Sequence, residues 1–299
     1  MVVYLDGRFL PLDEAALSPR DRGIQFADGA YEVIRSYNGV LFELDAHLAR
    51  LRRSLRELRI DPSPADGLGA VCAELLERNE LRETDARVYL HVTRGTYPRG
   101  HAFPPPDVAP NVYAEASSFE PHREVQLHGV SVISYPDQRW ARCDIKSLAL
   151  LPNVLALQAA REQGAQEAVL LRDGIVTEAT HSSVAAVNED TVIAPPLTNY
   201  VLPSITRQVV YRLCEQEGIP FVADILSAEQ LRGADEAMLW GTGYEVTPIT
   251  EIDRTPVGTG APGPVTRRLQ HAFRDYVARH TSSAAAEARR QPNPDPPPG

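Results

Sequence analysis

Three times along the chain an Asp-Gly or Asn-Gly pair separates two apolar runs, and no other feature restricts folding so strongly. Asp6-Gly7 lies between VVYL and RFL, Asn38-Gly39 between YEVIRSY and VLFEL, and Asp173-Gly174 between EAVLLR and IVTEAT. The two-residue turn that joins right-twisted strands needs a positive φ at both central positions, which Gly, Asn and Asp tolerate best. These pairs predict antiparallel hairpins in both halves of the chain, and SSVAAVNEDTVIAPP repeats the form. Helical patterns alternate with them. Leucines 48, 51, 55 and 58 share one face of DAHLARLRRSLREL, with Asp45 as the expected cap. Further helices are expected over about 65–80 and about 150–163. PSITRQVVYRLCEQEG should be a helix opened by Pro203 and Ser204 and closed by Gly218, and PVTRRLQHAFRDYVARH should be the last one. RVYLHVTRG, NVYAEASS and REVQLHGVSVISY read as strands. The fold class is α+β. Two domains are expected, a small one over 1–118 and a larger one over 122–281, followed by a disordered, proline-rich tail over 282–299.

A chain of 299 residues, 43% hydrophobic and 23% charged, can bury the cores of two such domains. Its net charge of −10 argues against nucleic acid and against an anionic membrane surface as partners. Cys72, Cys143 and Cys214 are odd in number, widely spaced and without a metal-ligand pattern, so a reducing cytoplasm is expected and Cys143 reads as a packed thiol. MVVYLDGRFL has neither a basic start nor a long apolar run, and no signal peptide or membrane span is expected.

Lys146, in DIKSLALL, is the one lysine among 30 basic residues. Coding bias could leave such a survivor at random. Chemistry offers another reason: a lysine amine can lose its proton when burial or a nearby cation lowers its pKa, an arginine cannot, and only a neutral amine attacks a carbonyl to form a Schiff base. The surroundings contain what a carbonyl cofactor with a phosphate and a ring nitrogen would need. Ser204-Ile205-Thr206 opens a helix, whose first N–H groups attract anions. Gly241-Thr242-Gly243 follows the apolar run EAMLW. Arg50 could give phosphate two parallel hydrogen bonds, although Arg52, Arg53 and Arg56 compete as solvated bases. Glu178, at a hairpin strand end, could hold a proton on a ring nitrogen. Each of these residues alone has an ordinary structural explanation.

In order, DGAYEVIRSYNG, LDAHLARL, IKSLALLPNVLA, VTEATHSSV, LPSITR and GTGYEVTPI resemble the fold-type IV pyridoxal-phosphate aminotransferases over about residues 3–280. The resemblance implies a small α/β sandwich domain and a larger domain with a pseudo-barrel β core, with pyridoxal 5'-phosphate between them. It implies Lys146 as the catalytic Schiff-base lysine and Glu178 against the pyridine nitrogen. It also implies Arg50, Ile205, Thr206 and Thr242 around the phosphate, and Tyr31 in the substrate pocket. The long loop in VTRGTYPRGHAFP is similar to the D-amino acid aminotransferase subgroup, in which an arginine, one spacer and a histidine grip the substrate carboxylate; here these are Arg99 and His101, with Tyr31. In that subgroup the loop serves the other subunit, which implies a homodimer with shared sites. The implied substrates are a D-amino acid of the alanine or glutamate class and a 2-oxo acid. Branched-chain L-amino acid aminotransferase, aminodeoxychorismate lyase and amine transaminase are rivals on the same cofactor, and a non-catalytic binding protein is a rival without it. Two positions depart from the family pattern: His181 stands among residues that are usually serines, with its side chain expected to point away from the site, and Ser204 replaces a common glycine.

Overall fold

The computed structural model describes residues 1–290, with side chains described through 282. The first half comprises β1 (Val2–Leu5), β2 (Arg8–Pro11), α1 (Arg22–Phe26), β3 (Gly29–Tyr37), β4 (Val40–Leu41), α2 (Leu44–Glu57), α3 (Leu68–Arg78), β5 (Ala86–Thr93) and β6 (Val112–Ser118). Its strands form one sheet in the order β2-β1-β6-β5-β3-β4, antiparallel throughout. Asp6-Gly7, Asn38-Gly39 and Asp173-Gly174 all adopt positive φ at both positions, as the hairpins require. Glu189-Asp190 does the same without a glycine. Helices α2 and α3 cover one face of this sheet: Leu51, Leu55, Leu75 and Leu76 pack on Ile34, Val88 and Leu90. Burying each of these leucines contributes roughly 1.5–3 kcal/mol.

The second half runs α4 (Arg123–His128), β7 (Val130–Pro136), α5 (Leu151–Glu162), β8 (Glu167–Arg172), β9 (Ile175–Ala179), β10 (Ser183–Asn188), β11 (Thr191–Ala194), α6 (Ile205–Glu217), β12 (Phe221–Ala223), α7 (Ala228–Arg232), β13 (Glu236–Gly241), β14 (Glu245–Ile252), β15 (Thr255–Pro256) and α8 (Pro264–Arg290). The sheet order is β12-β11-β10-β13-β14-β7-β8-β9, with β15 on β14. β9 and β10 are five places apart in this order. In a flat sheet they would lie roughly 24 Å apart. Yet only Thr180–Ser182 connects them, a span of roughly 14 Å at most, and the Ala179 amide donates to the Ser182 carbonyl at 2.8 Å. The sheet therefore curls into a half-barrel, and the turn that closes the curl is the segment following Glu178.

Tyr37 and Phe42, from the first sheet, enter the core formed by α6, α8 and Trp240. The cleft between the two sheets is thus fixed by shared apolar packing.

Several local expectations change. Asp45 lies inside the first turn of α2 and does not cap it; Glu43 precedes the helix in the left-handed region, and Asp45 still opposes the positive helix end. Residues 123–128 are helical, and the strand expected from Arg123 begins at Val130, beyond Gly129 at φ 88. The last helix continues through Arg290, past the expected start of the tail at 282, because SSAAAEARR is rich in strong helix formers. The remainder of that tail, 291–299, lies outside the described residues. Among the described residues no helix is long and apolar enough to cross a membrane.

Candidate active site

Lys146 lies in the connection between β7 and α5, and that connection is fastened to the first sheet. The Tyr31 amide donates to the Lys146 carbonyl at 3.0 Å, the Leu148 amide donates to the Gly29 carbonyl at 3.0 Å, and the Lys146 amide reaches Ser54 Oγ on α2 at 3.2 Å. Gly29 has to be glycine, since a Cβ there would sit 2.5 Å from the Val92 carbonyl oxygen and 2.8 Å from Leu148 Cδ1. The close approach that this glycine permits sets Lys146 Nζ 4.3 Å from the centroid of the Tyr31 ring. An aromatic face carries partial negative charge and holds an ammonium group in place without consuming its protons.

Glu178 is the penultimate residue of β9, and its carboxylate is buried. Arg139 donates to Oε1, and the Leu202 amide donates to Oε2 at 3.1 Å. Arg139 is itself gripped by Asp137 through Nε and Nη2, each at 2.9 Å, and Thr177 also donates to Asp137. Burial alone would raise the Asp137 pKa, but the hydrogen bonds and charge of Arg139 outweigh it and bring it down to about 2. A carboxyl whose folded pKa lies below its ordinary 3.8 stabilises the fold above that value and loses the contribution as pH falls toward 2. Thermal melts are therefore expected to drop between those two pH values, and the drop should be shallower in Asp137→Asn. If the variant showed the same acid slope as the parent, the Asp137–Arg139 pair would contribute nothing to it.

The opening of α6 lines the same cavity. Ser204 is its N-cap and accepts from the Arg207 amide at 3.2 Å. The Ile205 and Thr206 amides come too early in the helix to find intrahelical acceptors. Gly241 and Thr242, at the end of β13, line the same space. Arg50 enters from α2, buried, and its Nε and Nη2 clasp Glu32 at 2.7 and 2.8 Å while Nη1 donates to the Pro203 carbonyl at 3.0 Å. His47 Nδ1 lies 2.8 Å from the second Glu32 oxygen. Burial opposes ionisation of Glu32, but Arg50 and then His47 overcome it and hold the carboxyl far below its usual range. Burial pushes the His47 pKa down. Arg52 and Arg53 are occupied elsewhere, by Asp66 and Asp144, and Arg56 is exposed.

One cavity thus gathers Tyr31, Arg50, Lys146, Glu178, Ile205 and Thr242. Thr206 is buried just behind it, in a small adjoining void with Thr242. Arg99 and His101 are not in this chain's cavity; both are exposed on the 94–111 loop, against Phe26. His181, expected to point away, lines the cavity. Buried Glu167 holds its Nδ1 at 3.0 Å, and the ring stacks on Tyr244, so the residue is anchored from behind. Cys143 is buried with its Sγ 3.1 Å from the Trp140 carbonyl, and burial raises its pKa, as befits a packed thiol. Sequence reasoning missed Glu32, His47, Asp137 and Arg139. Glu32 carries a usable signal, a carboxylate in the otherwise apolar strand AYEVI; the others carry none.

The family model described as amino-transferase class IV matches residues 29–252, which include every element of the cavity. The chain belongs to the class IV aminotransferases. D-alanine aminotransferase of Bacillus licheniformis is 42% identical to this aminotransferase, covering 94% of this chain and 99% of its own. Among solved structures, the Escherichia coli branched-chain amino acid aminotransferase superposes with a TM-score of 0.84 at 26% identity, covering 91% of this chain and 93% of its own. The branched-chain amino acid aminotransferase of Thermobaculum terrenum, solved in its PLP form, superposes with a TM-score of 0.80 at 27% identity, covering 92% and 93%. The curled half-barrel and the smaller sheet are the fold-type IV arrangement. The cavity also fits such a cofactor chemically: its lining brings together an amine, a buried carboxylate, a helix N-terminus and a guanidinium.

Proposed function

We propose that this class IV aminotransferase is a pyridoxal 5'-phosphate-dependent transaminase that moves the amino group of a D-amino acid, of the D-alanine or D-glutamate class, to a 2-oxo acid. The observation that carries the transaminase reading is the one cavity that Lys146, Tyr31, Glu178 and the opening of α6 line together, with Lys146 Nζ over the Tyr31 ring. When bound, pyridoxal phosphate supplies an aldehyde that captures amino groups and a ring that accepts the charge left on the α-carbon. Lys146 Nζ would hold that aldehyde and, once freed by the incoming amine, would take the proton from the substrate α-carbon and deliver it two atoms along, to the carbon on the far side of the amino nitrogen. Glu178, its oxygens oriented by Arg139 and the Leu202 amide, would keep a proton on the ring nitrogen. Arg50, the Ile205 and Thr206 amides and the Thr242 hydroxyl would hold the phosphate; Arg50 retains N–H groups for this after clasping Glu32 and the Pro203 carbonyl.

Arg99 and His101 grip the substrate carboxylate together with Tyr31. Because both lie outside their own chain's cavity, they serve the cavity of a second copy, and the protein acts as a homodimer. Exposed Leu151, Val154 and Leu155 on α5 give such a pairing an apolar face. The three cysteines are buried and unpaired, which suits a reducing cytoplasm.

The structural neighbours keep the branched-chain L-amino acid reading in play; the sequence relatives favour the D-amino acid reading. A half-reaction panel decides between them. D-alanine and D-glutamate are expected to convert the cofactor absorbance at least about 100-fold faster than L-leucine or L-valine, a difference of roughly 2.7 kcal/mol. Preference for the L-amino acids would establish the rival. Release of pyruvate from added aminodeoxychorismate, with the cofactor absorbance left unchanged, would establish an aminodeoxychorismate lyase.

A further inference from the structure

We propose that Arg22, braced by Asp28 and Arg94, is the positioning residue that sets Arg99 and His101 for the substrate carboxylate. The inference rests on the reading above, in which the 94–111 loop carries the carboxylate grip. The loop leaves the sheet through a closed neck. The Thr93 amide donates to the Asn111 carbonyl at 3.0 Å, and Asp21 Oδ2 accepts from Thr93 Oγ1 at 2.6 Å and from Asn111 Nδ2 at 2.7 Å. The other oxygen of Asp21 caps α1, accepting from the Gly23 amide at 2.7 Å. One buried carboxylate therefore fixes both the mouth of the loop and the short helix beneath it.

The first residue of that helix reaches up to the loop tip. Arg22 is only 4% exposed, and its Nη1 donates to the Gly100 carbonyl at 2.7 Å and to the Ala102 carbonyl at 3.3 Å. These are the two carbonyls flanking His101. Its Nε donates to Asp28 at 2.8 Å. Asp28 also accepts from Arg94 at 2.8 and 2.9 Å, while Arg94 donates further to the Leu58 and Arg59 carbonyls and lies 3.8 Å from the Phe103 ring centroid. Two guanidinium groups thus share a single carboxylate. The charge left over is met by peptide oxygens, and for Arg22 those oxygens belong to the loop tip. Removing a buried guanidinium from water is tolerated only when such acceptors replace the water, so burial of Arg22 and placement of residues 100–102 are one event. Phe26, on the same helix, is flanked by the Arg22 guanidinium at 4.8 Å, the Arg99 guanidinium at 4.7 Å and the His101 ring at 5.6 Å. A loop of this length would otherwise sample many positions, and ordering it at each binding event would weaken substrate affinity.

The discriminating substitution is Arg22→Lys, which keeps the charge and gives up the planar fork that serves Asp28 and the loop together. In the cofactor-loaded enzyme it is expected to raise KM for both the amino acid and the 2-oxo acid about tenfold while kcat stays within about threefold, the pattern of lost binding rather than lost chemistry. Amide hydrogen exchange is expected to quicken over 98–103 and to stay unchanged over 44–57. Asp28→Asn, which leaves the fold's other ties to α1 intact, should give the same pattern more weakly. Arg99→Ala serves as the control for the underlying reading and should raise KM at least as much. A raised KM in Arg99→Ala beside parental KM and parental loop exchange in Arg22→Lys overturns this inference alone. A parental KM in Arg99→Ala removes the loop from substrate binding and overturns both. If Arg22→Lys lowered kcat and the melting temperature together with no rise in KM, Arg22 would be a structural residue and the inference would fall.

Discussion

Replacing Lys146 by alanine is expected to end turnover, with kcat falling at least about 10⁴-fold, because one nitrogen performs both the covalent and the proton-transfer work. No neighbour can substitute. The chain has no other lysine, and its 29 arginines remain charged at any usable pH. Lys146 is anchored through its backbone to Tyr31 and Ser54, contacts that alanine retains, so the fold should persist while the chemistry disappears. Spectroscopy provides a second readout. Borohydride should fix a pyridoxyl group onto the peptide containing residue 146 in the parent and onto no peptide in the variant. Parental turnover in Lys146→Ala, or labelling elsewhere in the parent, would remove the basis of the proposed mechanism.

The largest expected loss of stability belongs to Glu32→Ala. Glu32 is fully buried and accepts from Arg50 twice while holding His47. Deleting the carboxylate strands the Arg50 guanidinium in a site that burial has stripped of water, and breaking a buried pair from one side costs about 3–5 kcal/mol. The midpoint of denaturant unfolding should fall accordingly, and affinity for phosphate-bearing cofactor should fall with it, since Arg50 loses the clasp that aims it. Glu32→Gln, which keeps the shape and one acceptor, should lose less on both counts. Equal, small effects from the two substitutions would mean that water reaches Arg50 and that Glu32 does not orient it.

Much of the site was legible in the sequence because it is written in residue chemistry. A lone lysine, a carboxylate at a hairpin end, a serine-capped helix start and a glycine-flanked threonine each announce a physical capability, and the cavity collects Lys146, Glu178, Ile205 and Thr242. What escaped was whatever depends on alternation and long-range approach. Arg139 looks like a surface base in SYPDQRW until the curled sheet brings it to Glu178. His181 is expected from the sequence to point away, because nothing local signals its partner: Glu167, earlier in the chain on β8, holds it at the cavity. Asp45 has the right type for a cap, but the chain enters α2 through Glu43 in a left-handed conformation that local composition does not signal.

The turn pairs and the amphipathic runs by themselves determined that this chain forms antiparallel hairpins interleaved with helices, since positive φ and apolar periodicity are properties of neighbouring residues. Only the tertiary structure decided that β9 and β10 close a half-barrel, that Gly29 admits the lysine segment to the first sheet, and that Arg50 and Arg139 line one cavity. Those outcomes depend on residues far apart in the chain coming within hydrogen-bond distance, and that proximity is set by the packing of two sheets and cannot be read from any one stretch of sequence.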